Sequence, residues 1–172
     1  ECKLRSDFDE KLAKLSVNQW IIAKAKQATQ EVTDNLNAFR FSEAANAVYQ
    51  FVWGSFCDWY IEMIKPILYG EDETAKAETR ATFAWVLDRI LVILHPFMPF
   101  ITTELWNNTC DERQCKLINA AWPKDENFET AAMDEVDWSI ELISAIRSLR
   151  AEMNIPAGAK LTVYLKDCNA QS

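Results

Sequence analysis

Three glycines and five prolines in 172 residues leave this chain almost none of the punctuation that sheet proteins need at their turns. It must run in long helices with few connections. The apolar pattern agrees. From Ser16 onward, Val17, Ile21, Ala25, Ala28, Val32, Leu36 and Phe39 recur every three or four residues, one stripe on a helix that ends near Asn37 and Arg40. Ser42 suits the N-cap of a second helix, Glu43 to about Lys65. Its apolar residues, Phe51, Trp53, Phe56, Trp59 and Tyr60 among them, surround it, which predicts the central member of a bundle, and Pro66 should stop it. A third helix is expected from about Asp72 to Leu94, with Phe83, Leu87, Ile90 and Leu94 inward. His95-Pro96-Phe97-Met98-Pro99 breaks it before a short fourth helix to Asn107.

A fifth helix spans about Met133 to Met153, with Val136, Ile140, Ile143, Ile146, Leu149 and Met153 inward. Lys160 to Leu165 alternates like a strand, whose partner would have to be residues 116 to 119 or lie elsewhere. The expected architecture is all-α, an up-and-down helix bundle with a small α/β C-terminal appendage. Its divisions are a flexible or frayed lead-in (1–15), a bundle core (16–107), and a connecting segment with the fifth helix and terminal strand (108–172).

The net charge of −8 speaks against a wholly basic nucleic-acid surface, but a local patch acts within a Debye length of about 8 Å. Lys3, Arg5, Lys11, Lys14, Lys24 and Lys26 crowd the start of the chain, where a solvated helix face is the better account of them. Five cysteines, an odd number, rule out a complete disulfide framework within one chain, and Cys57 reads as a small buried hydrophobe. Cys110 and Cys115 lack a second ligand pair, and His95 is the sole histidine, so zinc is not expected. Reduced thiols and a charged N-terminus without signal-peptide character suit a cytoplasmic protein. The run Phe83 to Ile101 contains Asp88, Arg89, His95 and two prolines, a poor membrane span.

Catalysis has no constellation behind it: no nucleophile elbow, phosphate loop or metal-binding His-Glu motif. No catalytic, cofactor or metal residue is therefore assigned, and His95 is expected to serve a helix end. Binding is better supported. Arg40, Lys65 and Arg80, near helix ends or turns, are the candidates for phosphate contacts, with Trp59 as a stacking platform. The core is the better home for Trp59 and Tyr60, because this helix is apolar on most sides, which makes Trp59 the weaker candidate.

Several blocks carry a family resemblance. Tyr49-Gln50-Phe51-Val52-Trp53-Gly54-Ser55-Phe56-Cys57-Asp58-Trp59-Tyr60-Ile61-Glu62 resembles the "FVWxxFCDWYLE" signature of valyl-tRNA synthetases of bacterial type. Glu78-Thr79-Arg80-Ala81-Thr82, the stretch Leu94 to Trp106, Ala121-Trp122-Pro123, and Ile143 to Gly158 come after it in the family's order. The resemblance covers about residues 15 to 166. The block from His95 to Trp106 is shared with isoleucyl and leucyl enzymes; the Phe-Cys-Asp-Trp-Tyr block points to valine.

The resemblance implies the anticodon-binding domain of a class Ia aminoacyl-tRNA synthetase. Such a domain docks the anticodon stem-loop of tRNA(Val) beside the catalytic and coiled-coil modules of a parent enzyme. That parent uses ATP and Mg to attach valine. The His-Ile-Gly-His and Lys-Met-Ser-Lys-Ser type signatures are absent, so the chain is expected to be non-catalytic by itself. In relatives a helix with an Asn-Ala-Ser-Arg-like stretch precedes this point; without it an apolar groove would be exposed and the isolated chain would self-associate. The alternatives are the same domain of an isoleucyl or leucyl enzyme, or a helical protein-interaction module with no RNA role, which the net charge favours.

Overall fold

The structure, a computed structural model, describes residues 8–110, 113, 115–124, 131–156, 158–160 and 162–164. Its helices are α1 (Ser16–Asn37), α2 (Phe41–Tyr49), α3 (Ile61–Tyr69), α4 (Glu73–Leu94), α5 (Pro99–Thr109) and α6 (Ala131–Glu152). A π-helical stretch, Gln50–Tyr60, joins α2 to α3 in one continuous rod, and short 3-10 turns lie at Glu10–Leu12 and Leu117–Asn119. Among the described residues these make five helical rods, as the periodicity predicts. The chain divides into two compact units, Glu1–Asp137 and Trp138–Ser172.

In the first unit α1 is the central helix, packed against α2, the π-helical stretch and α4. Trp20, Ile21, Ala25 and Val32 are each no more than 1% exposed, and full burial of the larger apolar side chains contributes about 1.5–3 kcal/mol each. This corrects the expectation that the second rod would be central. That rod buries Phe51, Phe56 and Tyr60 on one side and leaves Tyr49 and Trp53 each 58% exposed on another. Phe39, assigned to the inward stripe of α1, lies beyond its end and is 80% exposed.

Two boundary expectations also change. Ser42 sits inside the first turn of α2, with Arg40 at the N-cap position and no side-chain cap. Pro66 lies within α3, which continues to Tyr69. A proline this close to a helix end removes one hydrogen bond without forcing a break, and the stop comes at Gly70. A Cβ there would stand 3.2 Å from the Pro66 carbonyl oxygen.

Buried polar groups fix the register of the helices. Asp72 caps α4, accepting from the amides of Thr74 and Ala75 at 2.9 and 3.0 Å. The entrance of α1 has no capping side chain of its own. Instead Glu78 on α4 accepts from the Lys14 and Leu15 amides, both at 3.0 Å, and from the Asn18 side chain at 2.9 Å. Asn18, fully buried, also donates to Thr79 Oγ1 and accepts from the Tyr60 hydroxyl at 2.9 Å. Three rods thus meet in one satisfied network, where each hydrogen bond is worth about 1 kcal/mol and an orphaned partner costs more.

Tryptophan indoles fasten the periphery. Trp20 Nε1 donates to Asp137 at 2.9 Å, and Lys24 pairs with the same carboxylate at 2.7 Å. Trp122 Nε1 donates to Thr33 Oγ1 at 2.9 Å. Trp106 donates to the Cys115 carbonyl at 3.1 Å, while the Arg113 guanidinium lies 3.8 Å from its ring centroid and grips Asp88 through two nitrogens. His95, at the C-cap of α4, contacts Thr102 Oγ1 through Nδ1 at 2.8 Å. Thr102 Oγ1 also lies 2.8 Å from the Met98 carbonyl, to which it can donate. Cys57 is half-buried; burial first and the charge of Asp58 second push its thiol pKa up.

In the second unit, Arg150 ties the end of α6 to the segment after it, donating to the carbonyls of Pro156 at 2.6 Å and Ala159 at 3.1 Å. Ile143, Leu149 and Met153, expected inward, are 36%, 52% and 65% exposed. The expected terminal strand does not form at Lys160, Thr162, Val163 and Tyr164; Leu161 and Leu165 lie outside the described residues. Its suggested partner within the chain is a 3-10 turn at Leu117–Asn119, and a lone extended segment has no ladder to join.

Candidate nucleic-acid interface

The corner between α1 and α2 is built by a Schellman motif. The Arg40 amide reaches back to the Asn35 carbonyl at 2.8 Å and the Phe39 amide to the Leu36 carbonyl at 3.0 Å. That motif requires a left-handed residue, here Phe39 at φ 58°. The position normally belongs to glycine; for a bulky side chain this backbone costs about 1–2 kcal/mol. The aromatic ring so placed is held out in solvent rather than tucked away. Phe41 comes next at 58% exposure, and the two rings meet edge-to-face with centroids 6.4 Å apart. Arg40, exposed between them, stands where the carbonyl end of α1 favours a cation and where the first amides of α2 have no side-chain cap.

The two flanks of α2 differ in chemistry. One borders a polar recess of about 530 Å³ lined by Glu31, Asn35, Ser42, Glu43, Asn46, Ala47 and Gln50. Its amides and hydroxyl can both donate and accept, as base edges require. The other borders an apolar groove of about 490 Å³, between Ala45, Asn46, Val48, Tyr49, Val52 and Trp53 on one wall and Leu94, Phe97 and Met98 on the other.

The four candidate residues are not brought together. Arg40 is at the corner. Lys65 lies 25 positions further along the rod, on the order of 35 Å at helical rise, and its ammonium is paired with Glu62 at 2.5 Å. Trp59 is half-buried at the end of the π-helical stretch, and Arg80 is half-buried on α4 beyond the Glu78 network. Of the early basic residues, Lys24 and Lys26 pair with Asp137 and Glu10, Lys11 and Lys14 are exposed, and Lys3 and Arg5 lie outside the described residues. Among the described residues, no group of three His, Cys, Asp or Glu could hold a metal, and no helix is long and apolar enough to cross a membrane.

The family described as the anticodon-binding domain of tRNA ligase matches residues 18–165. The chain belongs to that family. The domain is 48% identical over 170 residues to a valine–tRNA ligase of Brucella suis, a match covering 97% of this chain and 19% of the relative. It is 48% identical over 165 residues to the valine–tRNA ligase of Caulobacter vibrioides (93% and 18%) and 51% identical over 148 residues to that of Ruegeria pomeroyi (84% and 14%). This anticodon-binding domain therefore spans about a fifth of the length of the curated relatives it matches.

The sequence singles out Arg40 as a candidate from its place at a helix end and does not single out the aromatics that the structure puts around it. Phe39 satisfies the spacing of the α1 stripe, and Phe41, Tyr49 and Trp53 default to core on hydrophobicity alone. One signal was available: Phe39-Arg40-Phe41 is a bulky triplet at a helix–helix turn, where a chain with glycine to hand would use it.

Proposed function

We propose that this domain docks the anticodon stem-loop of valine tRNA within a valine–tRNA ligase. The rest of that parent enzyme would supply the ATP- and magnesium-dependent attachment of valine. The observation that carries the reading is the Phe39–Arg40–Phe41 corner, where backbone strain is accepted to keep an aromatic ring in solvent. Unstacked loop bases find two ring faces there and the polar recess of Asn35, Ser42, Asn46 and Gln50 beside them. Arg40 takes a phosphate. Glu31 and Glu43 repel phosphates from the recess and accept from exocyclic amines of bases. Arg80, Lys65 and Trp59 are the further contacts we assign, along the stem and away from the loop, with the charge of Lys65 partly offset by Glu62.

The net charge of −8 fits a binding mode with few phosphate contacts. The slope of log affinity against log salt should then be shallow, on the order of −1 to −3 for one to three neutralised phosphates. The test is titration of the chain with valine tRNA and with a non-cognate tRNA across a salt series. Tighter binding to valine tRNA, lost in Phe41→Ala, supports the reading. Equal affinity for both, unmoved by Phe41→Ala and Arg40→Ala, overturns the corner as the docking site.

A further inference from the structure

The polar recess beside the corner does not end at Gln50. A second recess of about 190 Å³, reaching Lys24, Gln27 and Ser55, shares Glu31, Ala47 and Gln50 with the first. The two make one furrow between α1 and the second rod. It follows α1 from Asn35 back to Lys24, about 17 Å at helical rise. Among the described residues that line it, Lys24 is the one cation.

The π-helical stretch gives this furrow its far wall. In an α-helix, residues three and four apart share a face, so Trp53 and Gly54 would follow Gln50 toward α1. The i→i+5 ladder brings Ser55 to the furrow instead. Five residues further on, the Tyr60 hydroxyl donates to Asn18 on α1 at 2.9 Å, so the same line of residues faces α1 throughout. The rarer helix thus lays a polar edge along the furrow within an apolar run and leaves Trp53 on the opposite flank.

Lys24 closes the far end in a pairing that is open to exchange. Its ammonium donates to Asp137 Oδ2 at 2.7 Å, while Oδ1 of the same carboxylate accepts from Trp20 Nε1 at 2.9 Å. The Lys24 and Asp137 side chains are 21% and 37% exposed, and an ion pair in contact with water holds its partners weakly. Trp20 keeps its bond to Asp137 if the ammonium turns away.

The geometry points to the furrow as the path of the unpaired strand beyond the corner, with Lys24 exchanging Asp137 for a backbone phosphate at its far end. The inference rests on the corner docking valine tRNA and adds where the strand runs from there. Base edges meet the amides of Gln27, Asn35, Asn46 and Gln50 and the hydroxyl of Ser55, groups that donate and accept. An extended peptide finds no apolar pocket for its side chains, since Ala28 and Phe51 are each only 5% exposed.

The test titrates the chain with the anticodon stem-loop of valine tRNA, carrying neutral methylphosphonate linkages one at a time through the loop. Lys24→Met should weaken binding several-fold and lower the salt slope by about one unit. One loop linkage, whose neutralisation costs the parent chain a similar factor, should cost Lys24→Met nothing. Asp137→Asn leaves an oxygen for Trp20 and frees Lys24, so it should tighten binding several-fold, a gain that damage to the fold would not produce. Ser55→Leu, which fills the furrow, should weaken it. Lys24→Met and Asp137→Asn shifting affinity in the same direction, or Lys24→Met losing the same factor at every linkage, would make the pair a support of the fold and overturn the path. Parent-like binding by Lys24→Met and Ser55→Leu, with Phe41→Ala still defective, would overturn the path and leave the corner standing. Equal affinity for cognate and non-cognate stem-loops, unmoved by Phe41→Ala and Arg40→Ala, would overturn the corner and the path together.

Discussion

Helices α1 and α6 end in the same hydrogen-bonded motif with different residues at its left-handed position. At the end of α1, Arg40 and Phe39 amides bond back to Asn35 and Leu36; at the end of α6, Ile155 and Asn154 amides bond back to Arg150 and Ala151 at 2.9 and 3.1 Å. The left-handed residues are Phe39 at φ 58° and Asn154 at φ 52°. Asparagine tolerates that region because its short polar side chain interacts with local backbone, whereas phenylalanine has no such compensation. Identical backbone demands have thus been met once by a residue suited to them and once by a residue that is not. Where the unsuited residue also projects 80% exposed, strain points to what the side chain does outside the fold.

Removing the ring tests this contrast most directly. Phe39→Gly should weaken binding of valine tRNA by about tenfold, within the roughly 1–3 kcal/mol that base–aromatic stacking is worth. Asn154→Gly should leave it unchanged; a titration in which the two variants behave alike would end the functional reading of the strain. Next in size is the reciprocal exchange at the other helix end. Asn154→Phe should destabilise the end of α6 by about 1–2 kcal/mol, visible as faster amide exchange at Asn154 and Ile155. Phe39→Asn should do the opposite, raising stability in urea by up to about 1 kcal/mol; a loss of stability there would mean that the ring supports the fold after all. The smallest effect belongs to Arg40→Ala, which should shift the salt dependence of tRNA binding by about one unit of slope without moving the melting temperature.

Much of the helical framework was legible because it rests on periodicity. Each expected rod is present, and the Asp72 start of α4 needs only a carboxylate one residue before a helical run. What could not be read depends on distant partners. The centrality of α1 depends on which faces the other rods leave open, and the apolar richness around Trp53 reads the same whether it faces a neighbour or solvent. The π-helical stretch coincides with the Gln50–Tyr60 block, yet a ladder shifted by one residue leaves no trace in composition. At the corner, Arg40 was singled out as a candidate from its position at a helix end. Its aromatic neighbours were not, since the spacing that puts Phe39 three residues after Leu36 is the spacing of a core residue. The terminal strand failed for a related reason, because alternation specifies a strand only where a partner edge exists.

The cap that Glu78 places on the entrance of α1 also bears on the order in which the molecule assembles. The capped amides of Lys14 and Leu15 are 64 and 63 residues distant in sequence, so the first turn of α1 stays open until α4 has been made and docked. Contacts of such long sequence separation form late, and losing a late contact speeds unfolding while leaving the folding rate nearly untouched. Stopped-flow traces of Glu78→Gln against denaturant should therefore show the unfolding limb displaced upward and the refolding limb superimposed on that of the parent sequence.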